Sequence, residues 1–162
     1  MARARPIPGL SEDLPYGAAA AKVISVRTRE LTEHASGVLD TSDIERVHDM
    51  RVATRRLRAA LEVFEPCFPR KPFRAALKEV KRIADALGER RDRDVHIAAM
   101  REVAEAMSAP DRPGIESLIE RLRAEQSAAN EALEPYVGAE RLAELAERLD
   151  ELASLAEEAA TE

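Results

Sequence analysis

His48, Arg51, Arg55 and Arg58 recur at intervals of three or four residues. That interval stacks side chains on one side of an α-helix. Met50, Ala53, Leu57, Leu61 and Phe64 fall on a separate, adjoining arc of the same helix and form its core stripe. The basic side carries no intervening carboxylate between His48 and Arg58. Like charges at these spacings repel by a few tenths of a kcal/mol, about 0.2–0.5 per pair in an isolated helix. A bound anion that relieves the repulsion is the simplest reason to stack three arginines and a histidine. Arg46 and Arg56 lie off the line and are expected to be solvated or ion-paired.

A second basic set follows. Lys78, Lys81 and Arg82 share one side of the next helical stretch with Arg74 and Asp85, while Phe73, Leu77, Val80, Ala84 and Leu87 make its core stripe. The short Pro-rich connector 67–72 makes the two stretches antiparallel neighbours. Two basic ridges flanking one core contact would then face a common groove. Arginine offers forked donors to phosphate oxygens and lysine a point charge, so the groove suits a chain of phosphates and needs neither nucleophile nor base. The segment 88–95 adds Arg91 to the expected site. Asp92 and Asp94 are expected to cap a helix there, or to hold an arginine in place.

The charge distribution agrees with a focused positive site. The whole chain carries a formal charge of −6. Residues 46–93 nevertheless hold 14 Lys and Arg against 7 Asp and Glu, leaving 11 against 24 elsewhere. Such asymmetry puts a basic patch on an acidic body.

The elements that must position these groups are helices. Hydrophobic residues at 45% and charged residues at 35% exclude a disordered tail, and aromatics at 3% with no Trp imply aliphatic helical cores. Residues 1–16, with three prolines and a glycine, read as an extended lead-in, followed by one domain over 17–160. Helices are predicted over about 16–39, then from a Ser42/Glu45 capping box to 65, over 73–87 ending at Gly88, and over 92–107. A fifth carries Ile115, Leu118, Ile119, Leu122, Ala129 and Leu133. After Gly138 a sixth carries the seam Leu142, Leu145, Leu149, Leu152 and Ala156. The expected fold is all-α, an up-and-down bundle of about six helices with short connections.

Other chemistries find little support. His34, His48 and His96 fall on three different predicted helices with no metal-ligand spacing, so no metal or other cofactor is expected. Cys67 lacks a nearby histidine in sequence and no phosphate-binding glycine loop is present, so no enzymatic activity is expected. The acidic balance and scarcity of aromatics disfavour nucleic acid, the main competing ligand; a helical scaffold for a partner protein is the third reading. No stretch approaches the ~20 apolar residues of a membrane span, and no signal peptide is evident. A single cysteine fits a reducing compartment, and a cytoplasmic location is expected.

The order His48-x-x-Arg51-Val52-x-x-Arg55-Arg56-Leu57-Arg58, followed by Leu77-Lys78 and by Leu87-Gly88-x-x-Arg91-Asp92-x-Asp94-Val95, resembles the two motifs of CHAD domains, the conserved histidine α-helical domains. The resemblance implies an all-helical module that binds inorganic polyphosphate along a basic groove, in some members associated with polyphosphate granules. It places His48, Arg51, Arg55, Arg58, Lys78 and Arg91 at basic positions of the family motifs; Lys81 and Arg82 rest on helical spacing alone. It covers about residues 17–160 and resembles the first of the two related halves usual in the family. No second basic helix follows Arg93. Pairing of two chains would rebuild a two-sided channel, so a homodimer is expected.

Overall fold

A computed structural model of the chain describes residues 3–160. It contains five α-helices: α1 (Tyr16–His34), α2 (Glu45–Val63), α3 (Arg70–Ala106), α4 (Arg112–Val137) and α5 (Ala139–Ala159). Short 3-10 turns occupy Glu65–Cys67 and Ala109–Asp111, and no strand occurs among the described residues. None of these helices is long and apolar enough to cross a membrane.

The expected count of about six is corrected to five because the third and fourth predicted helices are one. Gly88 does not end α3. Among the described residues only Gly9 and Gly37 adopt positive φ, so Gly88 keeps a helical backbone within the 37 residues of α3. A glycine inside a helix costs about 1 kcal/mol relative to alanine. Continuity outweighs that cost, because one face stays buried on both sides of Gly88: Phe73, Ala76, Val80, Ile83 and Leu87 before it, Arg90, Asp94 and Ile97 after it. At 1.5 Å per residue, α3 spans roughly 55 Å.

Two helix ends also differ from expectation. The stretch 16–39 stops being helical at His34 and turns through Gly37 at φ 71°, although Val38 is still buried. Ser42 does not cap α2. Its N–H and hydroxyl both donate to Asp40 Oδ1, at 2.9 and 2.7 Å, closing a local turn before the helix. Those bonds, the hydroxyl's first, hold the Asp40 carboxyl below its ordinary value. α2 begins after Ile44 with no side-chain cap.

The helices assemble around one aliphatic core. α1 packs on α5 and α2, α2 on α3, and α3 on α4, with α5 returning to touch α3. The predicted seam Leu142, Leu145, Leu149, Leu152 and Ala156 is buried along α5. Gly17 lets α1 approach it closely: a Cβ there would lie 2.2 Å from the Ala156 carbonyl oxygen. The lead-in is tied to α1, where the Arg5 N–H donates to Glu30 and its guanidinium pairs with Glu33.

α3 is longer than the helix beside it. Arg91 reaches the start of α2, so the residues of α3 beyond it have α4 and the α1–α2 connector as neighbours. There Val95 and Val103 remain 48% and 44% exposed.

The two glycines predict opposite responses. A Cβ at Gly88 meets nothing within 4 Å, so Gly88→Ala should stabilise the fold by about 0.5–1 kcal/mol in urea titration. Gly17→Ala should destabilise it. A destabilising Gly88→Ala would mean that the position needs the backbone freedom of a helix end.

Candidate functional site

α2 orients its basic side by burying the other. Val47, Met50, Ala53, Thr54, Leu57, Ala60 and Leu61 are buried, and the Thr54 hydroxyl donates to the Met50 carbonyl at 2.8 Å. Arg55 is exposed, while His48, Arg51 and Arg58 are half-buried at the edge of the core stripe. Among the described residues, the side chains of His48, Arg51 and Arg55 enter no hydrogen bond or ion pair.

Arg58 is different. Its Nε donates to Glu62 Oε1 at 3.0 Å, and Lys81 Nζ of α3 lies 3.7 Å from the same oxygen. The hydrogen bond from Arg58, with Lys81 beside it, holds the Glu62 carboxyl below its ordinary value. The basic line is therefore free of carboxylate only as far as Arg58; Glu62, one turn on, joins it to α3.

Arg91 lies at the other end of the same helix contact. Its Nη1 donates to the Ile44 carbonyl at 3.1 Å and sits 3.6 Å from Glu45, with the side chain 18% exposed. It fastens the start of α2 to α3. The pairings of Ile44 with Arg91 and of Glu62 with Lys81 show that α2 and α3 run antiparallel.

Lys78 and Arg82 are not placed with Lys81. They line a recess of about 470 Å³ between α3 and α5. In the same recess Arg141 and Arg148 are bound to Glu79, at 3.2 and 2.9 Å. Helical spacing gave the side of α3 on which these cations lie, but not which neighbour each would face. Arg46, as expected, is ion-paired, with Asp43 at 3.0 Å. Arg56 lies close enough to Glu30 to contribute to that carboxyl's lowered value. Burial pushes the Cys67 thiol up from its ordinary value, which makes it a poorer nucleophile.

Sequence reasoning missed Arg90. Its side chain is fully buried, with Nε 3.0 Å from Asp94 Oδ1 and Nη1 donating to the Asn130 side-chain oxygen. Gln126 also donates to Asp94 Oδ1, at 2.6 Å, and the Asn130 amide donates to the Leu39 carbonyl at 3.0 Å. Asp94 sits inside α3, so it caps nothing; its alternative expected role, holding an arginine, is the one it fills. A signal existed: 73, 76, 80, 83, 87, 90, 94 and 97 continue one heptad-like spacing through Gly88.

The two motifs, the helical fold and this arrangement meet in the comparison with known families. The CHAD domain matches residues 22–162, and the chain belongs to that family. CHAD domains are linked in general to polyphosphate binding. No match was found among curated protein sequences or solved structures.

Removing one partner of a buried ion pair leaves a charge stranded, at a cost of about 3–5 kcal/mol. Asp94→Ala should lose stability on that scale in chemical denaturation. Arg46→Ala, which breaks an exposed pair, should cost about 1 kcal/mol or less. Equal losses in the two variants would remove the special role assigned to the buried cluster.

Proposed function

We propose that this protein binds inorganic polyphosphate without catalysing a reaction, along the side of α2 that carries His48, Arg51, Arg55 and Arg58 and the adjoining Lys81 of α3. The observation that carries the reading is that the side chains of Arg51 and Arg55 have no partner among the described residues. Arg5, Arg27, Arg46, Arg93, Arg141 and Arg148 are all engaged by carboxylates. Guanidinium groups without a counter-charge on one helix side are available to non-bridging phosphate oxygens. Their repulsion falls when the ligand arrives, and counterions released from the polyanion favour binding at low salt.

Glu62 has a definite part in this reading. It occupies Arg58 and Lys81 in the free protein, so a phosphate reaching that end of the groove must displace a carboxylate. Arg91 contributes by holding α2 in register, a positioning role in place of the direct contact first expected. Lys78 and Arg82, on another shoulder of α3, would meet only a ligand that wraps around the helix.

A homodimer and a cytoplasmic location, with association with polyphosphate granules, belong to the same proposal. Pairing would place two basic grooves on one ligand. The exposed Val95 and Val103, on the part of α3 that extends past α2, support a surface for a second copy. Sedimentation should show a dimer at micromolar concentration, with or without polyphosphate; a monomer in both conditions would exclude pairing.

The binding proposal is tested by titration with polyphosphates of several lengths, ATP, and single- and double-stranded DNA at fixed salt. Affinity should rise with polyphosphate length. Charge-assisted hydrogen bonds are worth about 1.5–3 kcal/mol each, so Arg51→Glu with Arg55→Glu should weaken binding by at least about tenfold. Glu62→Gln should strengthen it, because it removes the internal competitor. Equal binding to DNA would favour a nucleic-acid-binding protein, and no binding at all a scaffold.

A further inference from the structure

Beyond Arg91, α3 and the first half of α4 form a two-helix arm. Its register is set by Arg90 with Asn130, Asp94 with Gln126, and Arg93 with Glu125. The α1–α2 connector covers one side of the arm, where Thr41 and Ile44 line a recess with Asp94, Arg101, Arg123 and Ser127. Arg93 and Glu125, 3.7 Å apart, mark the other side. Seven residues make about two helical turns, so Met100 and Met107, which follow Arg93 at that interval, share its side. Leu118 precedes Glu125 by the same interval on α4. Val103, Ile115 and Leu122 stand three or four residues from these and complete an apolar patch two helices wide.

Within one chain this patch is unfinished. Val103 and Leu118 are 44% and 39% exposed, and Met100, Met107, Ile115 and Leu122 are only half-buried. A pair of packed helices buries such a stripe only against a further layer. The charges nearby bear on what that layer is. Each chain carries −6, so two copies repel across most of their surface. The repulsion is concentrated elsewhere: α5 holds seven carboxylates against two arginines, whereas residues 112–126 of α4 hold three of each sign. A balanced surround offers no net sign for a strongly acidic or basic partner to recognise, and it is where a second copy meets least opposition.

Resting on the homodimer reading, we propose that this patch is the contact surface between two copies of the chain, packed antiparallel about a twofold axis level with Val103 and Leu118. The contact is isologous, so each patch covers the other and the four arm helices form a small bundle. Antiparallel order brings the Arg93–Glu125 pair of one copy level with the tip of the other, where Asp111 and Arg112 supply both opposite charges. Each α2, which begins beside Arg91, then lies beyond the other copy's tip. The two bundle bodies stay apart and both α2 grooves remain open.

The test is sedimentation of the full chain and its variants at micromolar concentration without polyphosphate, so the outcome does not depend on the ligand. Val103→Glu with Leu118→Glu sets like charges across the contact and should weaken association at least about tenfold. Leu155→Glu, at a leucine 40% exposed on α5, should leave association unchanged. A second measurement avoids the introduced charges. Leu118→Cys with Cys67→Ser should form a disulfide-linked dimer on mild oxidation, and Leu155→Cys with Cys67→Ser should not. A monomeric wild type would overturn pairing and contact surface together, leaving a helix of another protein as the occupant. A dimer that persists in the double glutamate variant, or that cross-links equally through position 155, would overturn this surface while keeping the homodimer.

Discussion

The buried pair of Arg90 and Asp94 is the constraint on which the rest of the arrangement depends. Two charges leave water there, and the desolvation cost is repaid only if their hydrogen-bonding groups find partners. Gln126 and Asn130 of α4 supply two of them, which fixes how α4 lies along the middle of α3. Asn130 then reaches the Leu39 carbonyl, and Arg91, the next residue on α3, reaches the Ile44 carbonyl. Two consecutive arginines thus anchor the middle and the end of the α1–α2 connector, one through α4 and one directly. A single turn of α3 joins three helices.

The register of α2 follows from that anchorage. With Ile44 held at Arg91, the buried stripe from Val47 to Leu61 meets α3, and the basic side turns outward along the junction of the two helices. Arg58 meets Lys81 across Glu62. In the proposed mode of binding, this is a shallow line of cations with an internal carboxylate at one end. The acidic remainder of the chain adds a long-range field that disfavours a bulky polyanion such as a duplex. A thin, flexible one can lie close to the arginines, where local attraction exceeds that field.

Much of this was legible locally. The apolar and basic sides of α2 are written in spacing, because a helix converts sequence interval directly into direction. The α5 seam from Leu142 to Ala156 was readable for the same reason. What failed were inferences that depend on neighbours. Gly88 looked like a helix end because glycine is common just past one; that Arg90 and Asp94 continue the core beyond it follows only from their mutual pairing. Ser42 had capping-box spacing, but Asp40 competes for its hydroxyl and N–H. Lys78 and Arg82 have the right helical side, yet α5, more than a hundred angstroms of extended chain away in sequence, decides what they face.

The most direct measurement of the central claim is the Nε–Hε spectrum of the arginine side chains, recorded as polyphosphate is added. The account predicts that Arg51, Arg55 and Arg58 shift first and saturate together, while Arg5, Arg46 and Arg141 stay where they are. Shifts spread evenly over all surface arginines, or absent from α2, would contradict it.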